Sequence, residues 1–187
     1  QRTDQNDGQS VVIPKYANDN VETNLTKIGA GDVSVLLSKD AFMLRAGSLE
    51  IMSRVIAGAY PDYNRVIPTG GTCSIVVDCS SLLSAVKRAA LCAESINKVI
   101  KVRIAKEPVP IVILESNNQS AEIFEEVPCL SSDGETVLGL DHRLLRDALE
   151  SVGEGRVSVK TNGPMGPVLI EPEVAGKNTQ VMMPIRI

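Results

Sequence analysis

His142 is the only histidine in the chain, so any acid–base scheme must rest on it or on carboxylates. It lies in "LDHRLL" and reads as a surface helix residue. Cys73, Cys79, Cys92 and Cys129 could supply thiolates. No two of them have C-x-x-C spacing, and a zinc site needs about four clustered ligands, so no metal centre is expected. The four read instead as free thiols of a reducing compartment. Glu122 could pair with Glu125 or Glu126 for general acid and base work. Those residues fall on a strand and read as a solvated face. The sequence has no Gly-rich phosphate loop and implies no cofactor. One further stretch stands out. The closing "VMMPIRI" (181–187) is apolar except at Pro184 and Arg186, whereas chain ends are usually polar and loosely held.

Composition narrows the partners. The 187 residues are 43% hydrophobic with no Trp, two Phe and three Tyr, so any core is aliphatic. Net charge is −4, which announces no nucleic-acid binder globally. A local basic surface remains compatible with it, because steering depends on where charges sit. No apolar run approaches the ~20 residues of a membrane span.

The elements that must position these residues follow a repeat. "QRTDQNDGQS" is polar and reads as loose. "VVIP" (11–14) reads as a short strand, and 15 to about 28 as a helix with Tyr16, Val21, Leu25 and Ile28 near helical spacing. "GDVSVLLS", "AFMLRAG" and "LEIMSRVI" follow as strands; in the last, Leu49, Ile51, Ser53 and Val55 alternate with Glu50, Met52 and Arg54. "AGAYPDYNRVIPTGG" (57–71) breaks the pattern with Pro61, Pro68 and Gly70-Gly71 and predicts a domain linker.

The cycle then recurs. "TCSIVVD" is a strand, and 79–96 a helix with Leu82, Val86, Ala89 and Ala93 on one face, capped by Asp78 or Ser80. Three strands follow, "KVIKVRIAK", "PIVILESNN" and "SAEIFEEV". "TVLGL" starts a third cycle. Asp141 caps "HRLLRDALESV", with Leu144, Leu145, Ala148, Leu149 and Val152 inward, and "RVSVKTN", "GPVLIEPE" and "QVMMPIRI" complete it. Helices start near residues 15, 79 and 141, about 60 apart. The fold class is α+β, built from strand–helix–three-strand units with helices on one face of antiparallel sheets. Two units make a domain, so three units and a start at Gln1 predict a fragment.

"YPDYNRVIP" (60–68) and "VMMPIRI" (181–187) together resemble the bacterial DNA polymerase III beta subunit family, the sliding clamps. That family opens its last domain on F/Y-P-D-Y-x-R-V-x-P and ends on V-M-P-M-R-L or close variants. "LLSAVKRAALCAES" (82–95) resembles its basic helix and "LGLDHRLLRDALESV" (138–152) its second helix. The resemblance runs from about residue 11 to the end. It implies the DNA clamp fold, with 1–59 the second half of a middle domain and 60–187 a complete C-terminal domain.

The resemblance also implies roles. Clamps are non-catalytic processivity factors of the replicative polymerase, acting in the cytoplasm at the bacterial nucleoid. Two chains close head to tail around duplex DNA, which inner helices meet without sequence preference. Here Lys87, Arg88, Arg143 and Arg146 would face DNA. Polymerase, clamp loader and repair proteins dock short peptides, usually with a Gln and apolar or aromatic anchors. Their groove here would comprise Pro61, Arg65, Val66, Pro167, Val181, Met182, Met183, Pro184, Ile185 and Arg186. Met suits such a pocket because it is flexible and polarizable. Leu91 and Cys92 would meet a neighbour's first domain in the ring. The family's T-D-G-H-R-L-like groove wall is missing, so the groove is expected to be half built; the first domain is missing as well, so this chain alone is expected to form no native ring. Two other classes compete: a free-standing peptide-binding module that does not encircle DNA, and a small carboxylate enzyme.

Overall fold

A computed structural model describes residues 11–28, 31–68, 70–93, 98–174 and 178–187. The chain divides into two compact units, Gln1–Asp62 and Tyr63–Ile187. Among the described residues, no helix is long and apolar enough to cross a membrane.

The first unit is one small layer of helix on sheet. Helix α1 (Lys15–Ile28) precedes strands β1 (Val33–Leu37), β2 (Ala41–Ala46) and β3 (Leu49–Arg54), which pair antiparallel in that order. "VVIP" forms no strand; it makes a single bridge, Val12 to Ile56. Phe42, Leu44 and Ala46 form the buried core, with Val21, Leu25, Leu49 and Val55 packed against it. Tyr16 and Ile28, at helical spacing with Val21 and Leu25, are exposed. Tyr16 instead hydrogen-bonds Ser53 Oγ at 3.0 Å through its hydroxyl.

The second unit holds two turns of the repeat. The first is β4 (Cys73–Asp78), α2 (Cys79–Ala93), β5 (Val99–Ala105), β6 (Ile111–Asn117) and β7 (Glu122–Asp133). The second is β8 (Thr136–Asp141), α3 (His142–Val152), β9 (Arg156–Thr161), β10 (Val168–Pro172) and β11 (Gln180–Met182). The expected end of the α2 helix, 94–96, lies outside the described residues. The strands form one antiparallel sheet in the order β11-β10-β9-β4-β7-β6-β5-β8. The opening strand of each repeat thus pairs with the other repeat: β4 with β9, and β8 with β5. This exchange welds the repeats into one body.

Strand β7 runs past the expected "SAEIFEEV". It pairs with β6 as far as Pro128, then with β4 from Cys129 to Asp133. Proline has no N–H to donate, so Pro128 suits the point where the strand changes partners.

Caps start the helices as the sequence predicts. Asp78 Oδ1 accepts from Ser81 N at 2.8 Å, and Asp141 Oδ1 from Arg143 N at 2.9 Å. Helix α2 buries Leu82, Val86, Ala89 and Ala93 in the aliphatic core. Helix α3 departs from expectation at two positions. His142 is 2% exposed, not a surface residue, and its N–H donates to Lys98 O at 3.0 Å. Leu144 is exposed, not inward. Residues 142, 145 and 149 keep to one stripe at helical spacing, and Leu144 falls beside it.

Candidate functional site

Helices α2 and α3 pack side by side, and their outer surfaces carry the four predicted DNA-facing cations. Lys87, Arg88, Arg143 and Arg146 are each about half exposed. Each is matched by a carboxylate. Lys87 crosses from α2 to Glu150 on α3 at 2.8 Å. Arg88 grips both oxygens of Glu125 on β7, each at 2.7 Å. Arg143 binds its own helix cap, Asp141, at 2.7 Å, and Arg146 meets Asp147 at 3.0 Å. Four cations and four anions leave this patch near neutral.

The pairs act on the carboxylates as expected. Hydrogen bonding to Arg88 holds Glu125 below its usual range, and Lys87 does the same to Glu150. Arg143 lowers Asp141. A carboxylate held ionised by a guanidinium is a poor general acid, and Glu125 is spent on Arg88. Alternation along β7 leaves Glu122 and Glu126 on exposed positions. Among the described residues, no cluster of three or more His, Cys, Asp or Glu side chains could hold a metal ion. The four cysteines are free thiols, and burial pushes Cys129 up to about 11.

The tail is organised by two anchors. Strand β11 sits at one edge of the sheet and pairs Val181 with Leu169 and Met182 with Val168. Met182 is buried in the core, so its side chain serves packing. Pairing ends at Met182 opposite Val168, and Pro167 before it is half-buried. Beyond Pro184 the chain reaches the opposite edge of the sheet, where Ile185 N–H donates to Gly139 O at 2.7 Å. Between the anchors, Met183 is 60% exposed. Arg186 is exposed and Pro184 half-buried. Arg65 and Val66 are exposed and lie outside the sheet. Pro61 is exposed in the first compact unit.

Leu91 and Cys92, the expected ring contact, face differently. Leu91 is 72% exposed, whereas Cys92 is buried. Cys92 lines a cleft of about 830 Å³ together with Lys101, Glu115, Asn118 and the last three residues of the tail. Sequence reasoning missed Gly139 and the acidic partners of the cations. Arg88 and Glu125 are 37 residues apart, a separation at which no local pattern links them. Arg143 with Asp141, two residues apart, was within reach of a local reading.

Comparison with known proteins agrees with this fold. Residues 64–186 match the family model for the DNA polymerase III beta subunit, C-terminal domain. The Beta sliding clamps of Staphylococcus epidermidis and Staphylococcus aureus are each 27% identical over the whole chain. The chain spans 49% of their length. Among solved structures, it is similar to a sliding clamp from Bartonella birtlesii bound to griselimycin, with 25% identity and a TM-score of 0.84 over 97% of this chain and 48% of that one. The fold is also that of the Pseudomonas aeruginosa clamp with ligand, with 24% identity and a TM-score of 0.80 over 96% and 48%.

Proposed function

This chain belongs to the DNA polymerase III beta subunit family, the bacterial sliding clamps, and we propose that it works as the part of a clamp that faces duplex DNA and docks partners. In this reading residues 60–187 are the C-terminal domain and 1–59 the second half of the middle domain. The protein gives processivity to the replicative polymerase in the cytoplasm and performs no catalysis. Its helix face meets phosphates without sequence preference. Its tail receives short peptides of the polymerase, the clamp loader and repair proteins. Ring closure runs through Leu91 to the first domain of a neighbouring chain.

The observation that carries the reading is the packed pair α2 and α3. It presents Lys87, Arg88, Arg143 and Arg146 outward while the opposite faces of both helices build the core. Neutralised cations suit a surface that must let DNA slide. A phosphate can displace an exposed carboxylate at small cost, because exposed pairs couple weakly. The same neutrality also favours the second reading, a peptide-docking module that does not hold DNA.

Fluorescence anisotropy of a short duplex separates the two. Wild-type chain should bind weakly, with an affinity that falls as salt rises. Lys87→Ala, Arg88→Ala, Arg143→Ala and Arg146→Ala together should lower that affinity and flatten the salt slope. Equal binding by the quadruple variant would remove these residues from the DNA-facing role. No binding by wild type at low salt would leave only the docking module.

A further inference from the structure

Glycine inside a strand weakens it, because it adds backbone freedom and packs nothing. Gly139 nevertheless sits in the middle of β8, between the core residues Leu138 and Leu140. Its backbone does not require it. Gly134, just before β8, has φ at +121, where side chains are strained, whereas Gly139 lies outside that region. What excludes a side chain at 139 is space. A Cβ there would land on the Ile185 carbonyl oxygen and the Ile187 side chain, and would crowd Val99 Cγ1 at 3.3 Å. The Ile185 oxygen is backbone and cannot swing aside as a flexible side chain can.

Strand β8 pairs with β5 on one edge, Gly139 opposite Lys101. On its other edge the tail takes the place of a neighbouring strand, through the bridge from Ile185 to Gly139. The tail therefore begins on one edge of the eight-stranded sheet and is fastened to the other. Only Met183 and Pro184 span the interval between buried Met182 and bridged Ile185. Proline fixes φ near −65°, so this short span has little freedom while both ends are held.

We propose that Gly139 is a positioning residue for partner docking: the missing side chain seats the tail on β8 and so holds Met183 and Ile185 in the shape a partner meets. The proposal rests on the tail-docking reading above. It is a matter of preorganisation. A tail already held in its bound shape spares the partner the cost of ordering it.

Two variants test it, with griselimycin as the probe for docking and hydrogen exchange as the probe for the tail. Gly139→Ala should strip exchange protection from the Ile185 amide while leaving the β10–β11 amides protected. It should weaken griselimycin by about tenfold or more, the loss expected when a docking hot spot is disordered. Ile185→Pro removes the N–H that reaches Gly139 and leaves β8 untouched. It should weaken griselimycin more than Ile185→Ala, which loses the side chain but keeps the N–H, and it keeps the test open if Gly139→Ala fails to fold. Retained protection at Ile185 in Gly139→Ala would overturn the seat. Unchanged griselimycin affinity with a released tail would overturn the docking consequence. A wild-type chain that binds no griselimycin, with its tail fully protected, would sink the docking reading and this proposal with it.

Discussion

Neutralising Glu125 and Glu150 together should turn a nearly neutral helix face into a basic one and strengthen DNA binding. Glu125→Gln releases Arg88 from a two-pronged grip at 2.7 Å, and Glu150→Gln releases Lys87 from a contact at 2.8 Å. Both cations are about half exposed and need no rearrangement of the core to reach a phosphate. To the extent that the carboxylates keep Lys87 and Arg88 off phosphate in the wild type, each cation freed steepens the fall of log affinity with log salt by up to about 0.9, so the pair should steepen it by at most about 1.8. Exposed pairs couple their partners by roughly two- to fivefold, so freeing two should raise low-salt affinity by about tenfold. Anisotropy of a labelled duplex across a salt series reads both quantities. Glu173→Gln provides the control. It removes the same charge but frees Arg156, which lies on the sheet and not on the helices. If Glu173→Gln strengthened binding as much as Glu125→Gln alone, net charge and not this face would govern the interaction. If the double variant bound DNA no better than wild type, the ion pairs would not be what limits phosphate contact.

The two methionines of the tail should separate by readout. Met182→Ala should cost about 2–5 kcal/mol of stability in a denaturant melt, because that side chain is buried in the core. Met183→Ala should leave the melt within about 0.5 kcal/mol and weaken a peptide carrying a Gln and apolar anchors by about tenfold. Acid should act on both helices together. Asp78, held down by the Ser80 and Ser81 hydroxyls, joins Glu125, Asp141 and Glu150 as carboxylates below their ordinary values. A depressed carboxylate contributes stability that is complete above its unfolded value and lost as pH falls through its folded one. Melting followed by circular dichroism should therefore stay level from neutrality down to the ordinary range of 3.8 to 4.5 and decline below it.

The repeat was legible because it is written in local chemistry. Helices begin at Lys15, Cys79 and His142, close to the expected starts, and Asp78 and Asp141 cap the last two as their types suggest. The apolar stripe of α2 could be read from spacing alone, since each of its positions faces one core. Helix α3 misled at His142 and Leu144 because its stripe is narrow and a histidine starts it; burial there is set by the neighbouring strand, not by side-chain type. The sheet order was beyond a linear reading. Each repeat's first strand crosses to the other repeat, and nothing in "TCSIVVD" or "TVLGL" names its partner.

The apolar ending combines what could and could not be read. Strand alternation turns some of its residues to the core, and Met182 is one of them. Pro184 has no N–H to give a ladder, and ladder pairing stops at Met182. What no spacing could convey is why the chain stays ordered past that stop. The reason lies 46 residues before Ile185, in a strand position that keeps no side chain so that another segment can lie on it. Glycine's meaning at 139 is a contact across the fold, and a residue defined by what it leaves room for gives its own neighbourhood no sign of it. The same holds for the cations of α2. Lys87 and Arg88 announce a basic helix by type, yet their field is set by Glu150 and Glu125, which folding brings from other elements. Residue type gave the kind of surface; only tertiary structure gave its charge.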